Sequence, residues 1–111
     1  MPAPGAGAQL IAARASRAFR LISTGDILNA KQRRTLEAAF AEPPPSDLRW
    51  RDAASLLRAL GAELSEGRGS RVRVALRGRR AVFHRPHPRP EMDRGAIRDL
   101  RELLRETGFE P

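Results

Sequence analysis

The segment SRVRVAL at residues 70–76 alternates charge and hydrocarbon with a period of two, which constrains the fold more than any other feature. Val72, Val74 and Leu76 fall on one side of an extended chain, and Arg71 and Arg73, with Arg77 following in step, fall on the other. Such a strand is stable only if its apolar side is covered, which leaves the arginine side open or at the rim. Arg77-Gly78 is a tight-turn signal, and Ala81-Val82-Phe83 supplies the returning strand. The chain is therefore expected to build a sheet with one buried and one cationic face.

The covering layer is written on either side of this hairpin. In SDLRWRDAASLLRALG, Trp50, Ala53, Leu57 and Leu60 recur at helical spacing, and Gly61 stands where a left-handed cap belongs. Residues 62–65 (AELS) are a short strand candidate before a Gly-Arg-Gly loop. The segment RPHPRPEM is a proline-punctuated loop. Asp93 can cap a last helix whose stripe is Ile97, Leu100, Leu103 and Leu104, with Gly108 at its end. A length of 111 residues allows one domain with a modest core, mostly Leu, Ala and Val, because there is one tryptophan and no tyrosine. The expected class is α+β, an α-β-β-β-α two-layer sandwich over residues 46–111.

Two further segments precede it. A short helix is expected from Lys31 to about Ala41, capped by Asn29 and stopped by Pro43-Pro44-Pro45; Leu36, Ala39 and Phe40 share a face that can dock. The prolines read as a stiff spacer within residues 29–45, marking where the compact domain begins. Residues 1–28 are rich in Ala, Gly and Pro and read as an N-terminal extension. Arg14, Arg17 and Arg20 with Ser16 and Ser23 match the composition of an organellar transit peptide. The plainer reading, a mobile tail or codons upstream of the true start, is preferred, and the extension is expected to be dispensable for folding. No apolar run reaches membrane-spanning length. With no cysteine, disulfides, thiol nucleophiles and zinc-thiolate sites are excluded, which fits a reducing compartment, and the cytoplasm is the expected location.

Net charge is +8, and residues 61–90 hold most of the excess, with eight arginines against two acids. Lys31 is the only lysine, so arginine usage itself can reflect codon bias; the information lies in where the charge sits. A localised basic patch is the footprint of a polyanion binder. Arginines two apart on a strand stand roughly 6–7 Å from one another, close to the phosphate spacing of a nucleic-acid strand. Arg68, Arg71, Arg73 and Arg77 are the candidate phosphate contacts, with Arg79 or Arg80 flanking them at the hairpin turn. Gly69 lets the loop backbone approach closely, and Ser70 adds a hydroxyl. The plainer alternative is a solvated edge whose charge prevents aggregation. His84 and His87 are the candidate proton-transfer groups, since cleaving RNA needs a base for the 2′-OH and an acid for the leaving oxygen. As metal ligands they are poor, lacking a nearby third donor. Taken singly, each reads more simply as a strand end or a turn residue.

The combination of SLLRALGAEL, EGRGSRVRV and AVFHRPHPRPEMDRGAIRDLRELLRETGF, spanning residues 48–110, resembles the HicA-type toxins of bacterial toxin–antitoxin operons. That family has a first helix ending in Leu-x-x-x-Gly, a Gly-Ser-His strand, a Pro-His-Pro-like loop and a Gly-Thr-Leu opening to the last helix. The resemblance implies a fold like the double-stranded RNA-binding domain. It also implies metal-independent mRNA cleavage without a cofactor, and a HicB-type antitoxin that covers the basic face. At one position the chain departs from the pattern: Gly69-Ser70 is followed by Arg71, where the family carries its catalytic histidine. Arginine stays protonated, so Arg71 can bind phosphate but cannot act as a base. Ala96-Ile97 replaces Thr-Leu after Gly95, a mild change. Two functions are therefore expected as alternatives, an endoribonuclease in which His84 or His87 has taken over proton transfer, and a binding module that has lost the chemistry.

Overall fold

In a computed structural model, which describes residues 27–111, two of three helices cover one face of a three-stranded antiparallel sheet, and the first helix packs against those two. The order is α1 (Ala30–Ala39), α2 (Trp50–Ala59), β1 (Glu63–Glu66), β2 (Arg71–Leu76), β3 (Arg79–His84) and α3 (Arg94–Glu106). From α2 onward this is the expected α-β-β-β-α sandwich, an α+β fold. Residues 1–26, most of the expected extension, lie outside the described residues.

Local chemistry sets the helix ends. Asn29 Oδ1 accepts from Gln32 N at 2.7 Å while Gln32 Oε1 accepts from Asn29 N at 3.0 Å, a reciprocal box that starts α1. Asp93 caps α3 by accepting from Ala96 N at 2.7 Å. At the far ends, Ala62 N donates to Leu57 O and Phe109 N donates to Leu104 O, each across a glycine with positive φ, Gly61 at 97° and Gly108 at 89°. These paired Schellman closures satisfy carbonyls that the helices leave open, and the second folds Phe109 into the core with no exposed surface.

The alternation of β2 becomes alternate burial: Val72, Val74 and Leu76 are buried, and Arg71, Arg73 and Ala75 are exposed. Under the buried face lie Leu56, Leu57, Ile97, Leu100 and Leu104, with Trp50 packed on Phe83 at 5.6 Å between ring centroids. Full burial of a Leu or Ile contributes about 1.5–3 kcal/mol, so this layer carries the stability.

The core reaches further towards the N-terminus than the sequence suggests. Leu36 and Ala39 of α1 are buried in it, and so is Leu28, placed above at the end of the extension, at 4% exposure. Arg101 of α3 fastens α1. Its Nε donates to Ala39 O at 2.8 Å, one terminal nitrogen to Ala41 O at 2.7 Å, and the other to Glu42 at 2.7 Å. That last hydrogen bond is the main cause holding the Glu42 carboxyl below its ordinary 4.5. The proline run is thus a link within the compact body rather than its border.

Candidate nucleic-acid interface

The sheet register decides which side chains share the open face. Between β2 and β3, Arg71 pairs with His84, Arg73 with Val82, and Ala75 with Arg80. Between β1 and β2, Ser65 pairs with Arg73 and Glu63 with Ala75. Because alternate residues point to the same side, three rows run across the face: Gly67–Arg71–His84, Ser65–Arg73–Val82 and Glu63–Ala75–Arg80. Cβ atoms of directly opposed residues lie roughly 4.5–5.5 Å apart. His84 therefore stands beside Arg71, the arginine in the Gly-Ser-x position.

The loop between β1 and β2 opens the first row to a ligand. Gly67 N donates to Arg71 O at 2.8 Å, and Arg71 N donates to Arg68 O at 3.2 Å, closing a tight turn that leaves Arg68, Gly69 and Ser70 exposed. Gly69 has φ of 62°, which favours glycine. A Cβ built on Gly67 would meet Arg71 Cβ at 3.3 Å, so glycine there keeps one flank of Arg71 clear. Ser70 O accepts from Arg85 N at 2.7 Å, tying the loop to the chain leaving β3.

His87 reaches the same neighbourhood through the proline loop. Trp50 N donates to Pro90 O at 3.1 Å and Met92 N to Leu48 O at 2.8 Å, which pins the far end of the loop to the entry of α2. His84 and His87, both exposed, line one groove of about 360 Å³, together with Glu91, Asp93 and Ala96 at the start of α3. The two histidines, Arg71 and the Gly69-Ser70 loop thus gather at one end of the sheet. There an imidazole beside a fixed positive charge can exchange protons with a ligand whose anion the arginine holds.

Arg77 is a correction. The hairpin turn consists of Arg77 and Gly78, both with positive φ (49° and 81°), so the strand alternation stops at Leu76 and no longer sets the direction of Arg77. Its guanidinium instead crosses to the helix layer, donates to Thr107 O at 2.7 Å and lies 4.4 Å from the centre of the Phe109 ring. Partial burial lowers its pKa from the ordinary arginine value, as expected for a cation taken out of water, while the carbonyl end of α3 compensates. Arg77 is a structural clamp, not a contact on the open face.

The register places three further residues. Arg80 takes the place on the face expected of Arg77, as the two-residue turn and the pairing with Ala75 require. Val82 is 53% exposed in the middle row. Arg85, counted among the basic residues, is held by Glu66 at 2.6 Å. No helix among the described residues is long and apolar enough to cross a membrane, and no cluster of three His, Asp or Glu among them could hold a metal ion.

Comparison with curated proteins and with solved structures gave no match. A family model described as the HicA toxin of bacterial toxin–antitoxin systems matches residues 50–109, more than half of the chain and all of α2, the sheet and α3. By that match the chain belongs to the HicA toxin family.

Proposed function

We propose that this protein is the toxin of a toxin–antitoxin pair, that it binds mRNA through phosphates on the open sheet face, and that a HicB-type antitoxin restrains it by covering that face. The observation that carries the reading is the register, which sets Arg71, Arg73 and Arg80 on one uncovered surface with Arg68 and Ser70 at its rim. Clustered guanidinium groups of this kind bind a phosphate backbone with little regard for sequence.

Cleavage, on this reading, runs through His84. An imidazole beside Arg71 is placed to take the proton of a 2′-OH as its oxygen attacks the neighbouring phosphorus, with Arg71 stabilising the charge that develops there. His87, in the same groove, is the nearer candidate for the acid that protonates the leaving 5′-oxygen. The resemblance favours a second reading: with Arg71 following Gly69-Ser70, where the resemblance expects a histidine, the usual base is gone, leaving a module that binds without cutting.

The Arg71→Gln/Arg73→Gln double variant tests the binding claim. Losing two phosphate contacts on a single strand should flatten the slope of log affinity against log salt by about 1.4 units, similarly for unrelated RNA sequences. An unchanged affinity and slope would remove the face from consideration. Inducible expression with and without the neighbouring gene, followed by RNA end-mapping, separates the two readings: growth arrest with new RNA ends supports the nuclease.

A further inference from the structure

The open face also contains a feature whose apolar floor and acidic rim phosphate binding does not use. Beside the middle and last rows lies a concavity of about 420 Å³, lined by Glu63, Ser65, Arg73, Ala75, Arg80 and Val82 among others. Its floor is apolar, since Ala75 and the 53%-exposed Val82 present methyl groups to solvent between two arginines. At its β1 rim stands an exposed carboxylate, Glu63, although an acid is a poor choice for a surface that only gathers phosphates. Among the described residues Glu63, Arg73 and Arg80 enter no ion pair, so all three are available to a ligand.

We infer that this concavity is a nucleobase subsite that prefers guanine, in a single-stranded segment of the RNA bound by the face; the inference rests on the proposed RNA-binding function. A flat apolar floor offers a base van der Waals contact with its ring, and the flanking arginines offer charge to the adjoining phosphates or to the ring edge. Glu63 selects the base. A carboxylate only accepts, and guanine is the base with two adjacent Watson–Crick donors, N1–H and N2–H, which can meet both carboxylate oxygens at once. Uracil turns one donor between two carbonyl oxygens towards the same group and is repelled. Across the sheet, Glu63 and Arg80 are two strand spacings apart, roughly 10 Å, room for a purine lying on Ala75 with a hydrogen bond at either end. Arg80 then faces the guanine O6 and N7 acceptors, a pairing that guanidinium groups favour. Four residues along β2, roughly 13 Å, separate Arg71 from Ala75 in the last row. This places the selected base about two nucleotides from the Arg71–His84 pair.

The test is equilibrium binding of the full chain to a short oligouridine and to the same oligomer with one central G, A or C, at fixed low salt. The oligomer with G should bind roughly 5- to 100-fold tighter than all-U, the discrimination a bidentate contact gives. Glu63→Gln should abolish that difference while leaving all-U affinity equal or higher, because a negative charge has gone. Equal affinities for the four oligomers, with binding still strongly salt-dependent, would overturn the subsite and leave the phosphate-binding face standing. Absence of salt-dependent binding to any oligomer would overturn both. A Glu63→Gln variant that keeps the wild-type base ranking, yet no longer copurifies with the co-expressed product of the adjacent reading frame, would assign the concavity to a protein partner and also overturn the inference.

Discussion

Removing the charge of Arg77 should damage stability and spare RNA binding, the reverse of what its place in the basic run suggests. Arg77→Met keeps a long unbranched stem and the left-handed backbone strain, so the comparison isolates the guanidinium. The variant loses the hydrogen bond to Thr107 O, about 1.5–3 kcal/mol for a charged donor. It also loses the cation over Phe109, about 0.5–2 kcal/mol for a partly desolvated pair. Against this, the wild type carries the cost of drawing a cation out of water, visible as the downward pKa shift, and methionine recovers about 0.3–1.5 kcal/mol by setting its sulfur against the ring. The net loss is roughly 1.5–3 kcal/mol. For a folded body of this size each kcal/mol moves Tm by about 4–8 °C, so thermal unfolding followed by circular dichroism should show a drop of about 6–24 °C. RNA affinity, measured well below both transitions, should match the wild type. A Tm within 2 or 3 °C of wild type, or an RNA affinity that falls as far as it does for Arg71→Gln, would refute the assignment of Arg77 to the clamp.

Other perturbations report on other parts of the molecule. His84→Gln should lower any RNA cleavage by roughly 10²–10⁴-fold with affinity nearly intact, and Arg71→His should raise cleavage by setting a titratable imidazole directly after Gly69-Ser70; full-rate cutting with both His84 and His87 replaced would dismiss the imidazoles. A chain starting at Asn29 should be less stable than one starting at Ile27 by about 1.5–3 kcal/mol, the burial of Leu28, and equal melting temperatures would show that Leu28 contributes nothing. The Glu42 carboxyl is held below 4.5 by Arg101, so its contribution is complete above that value and is lost as pH falls through the lower folded-state value. Glu42→Gln should therefore remove part of the acid-side loss of stability, and an unchanged acid limb in urea titrations at pH 3 to 6 would contradict the pairing.

The elements were legible in the sequence wherever their causes are local. Period-two alternation, the glycines that end α2 and α3, and the Asn29 and Asp93 caps are each fixed by a few neighbouring residues. The open face was legible for Arg71 and Arg73, because strand parity alone decides them. Parity failed at Arg77, since a residue with positive φ in a turn no longer obeys the strand, and the helix end that captures it is thirty residues away. Arg80 and Val82 came onto the face through the turn length, which fixes the register of the returning strand. Leu28 was misplaced for a different reason. Its neighbours have the composition of a tail, and only packing against helices distant in sequence shows that it is inside. Glu63 and Ser65 reach the interface by pairing with β2, and a strand of four residues carries too little pattern to announce which side is wet.

The Arg101 fastening of α1 separates two units that are usually assumed to coincide. The span matched by the family model begins at Trp50, but the packed core begins some twenty residues earlier, because α1 contributes buried side chains and closes over one guanidinium of α3. In native-state hydrogen exchange α1 should behave as part of the same foldon as α2 and α3, opening with the whole rather than fraying from its own end. A graft of residues 50–109 into another context would leave Arg101 facing solvent where three acceptors had been, and would bare the apolar strip that Leu36 and Ala39 cover.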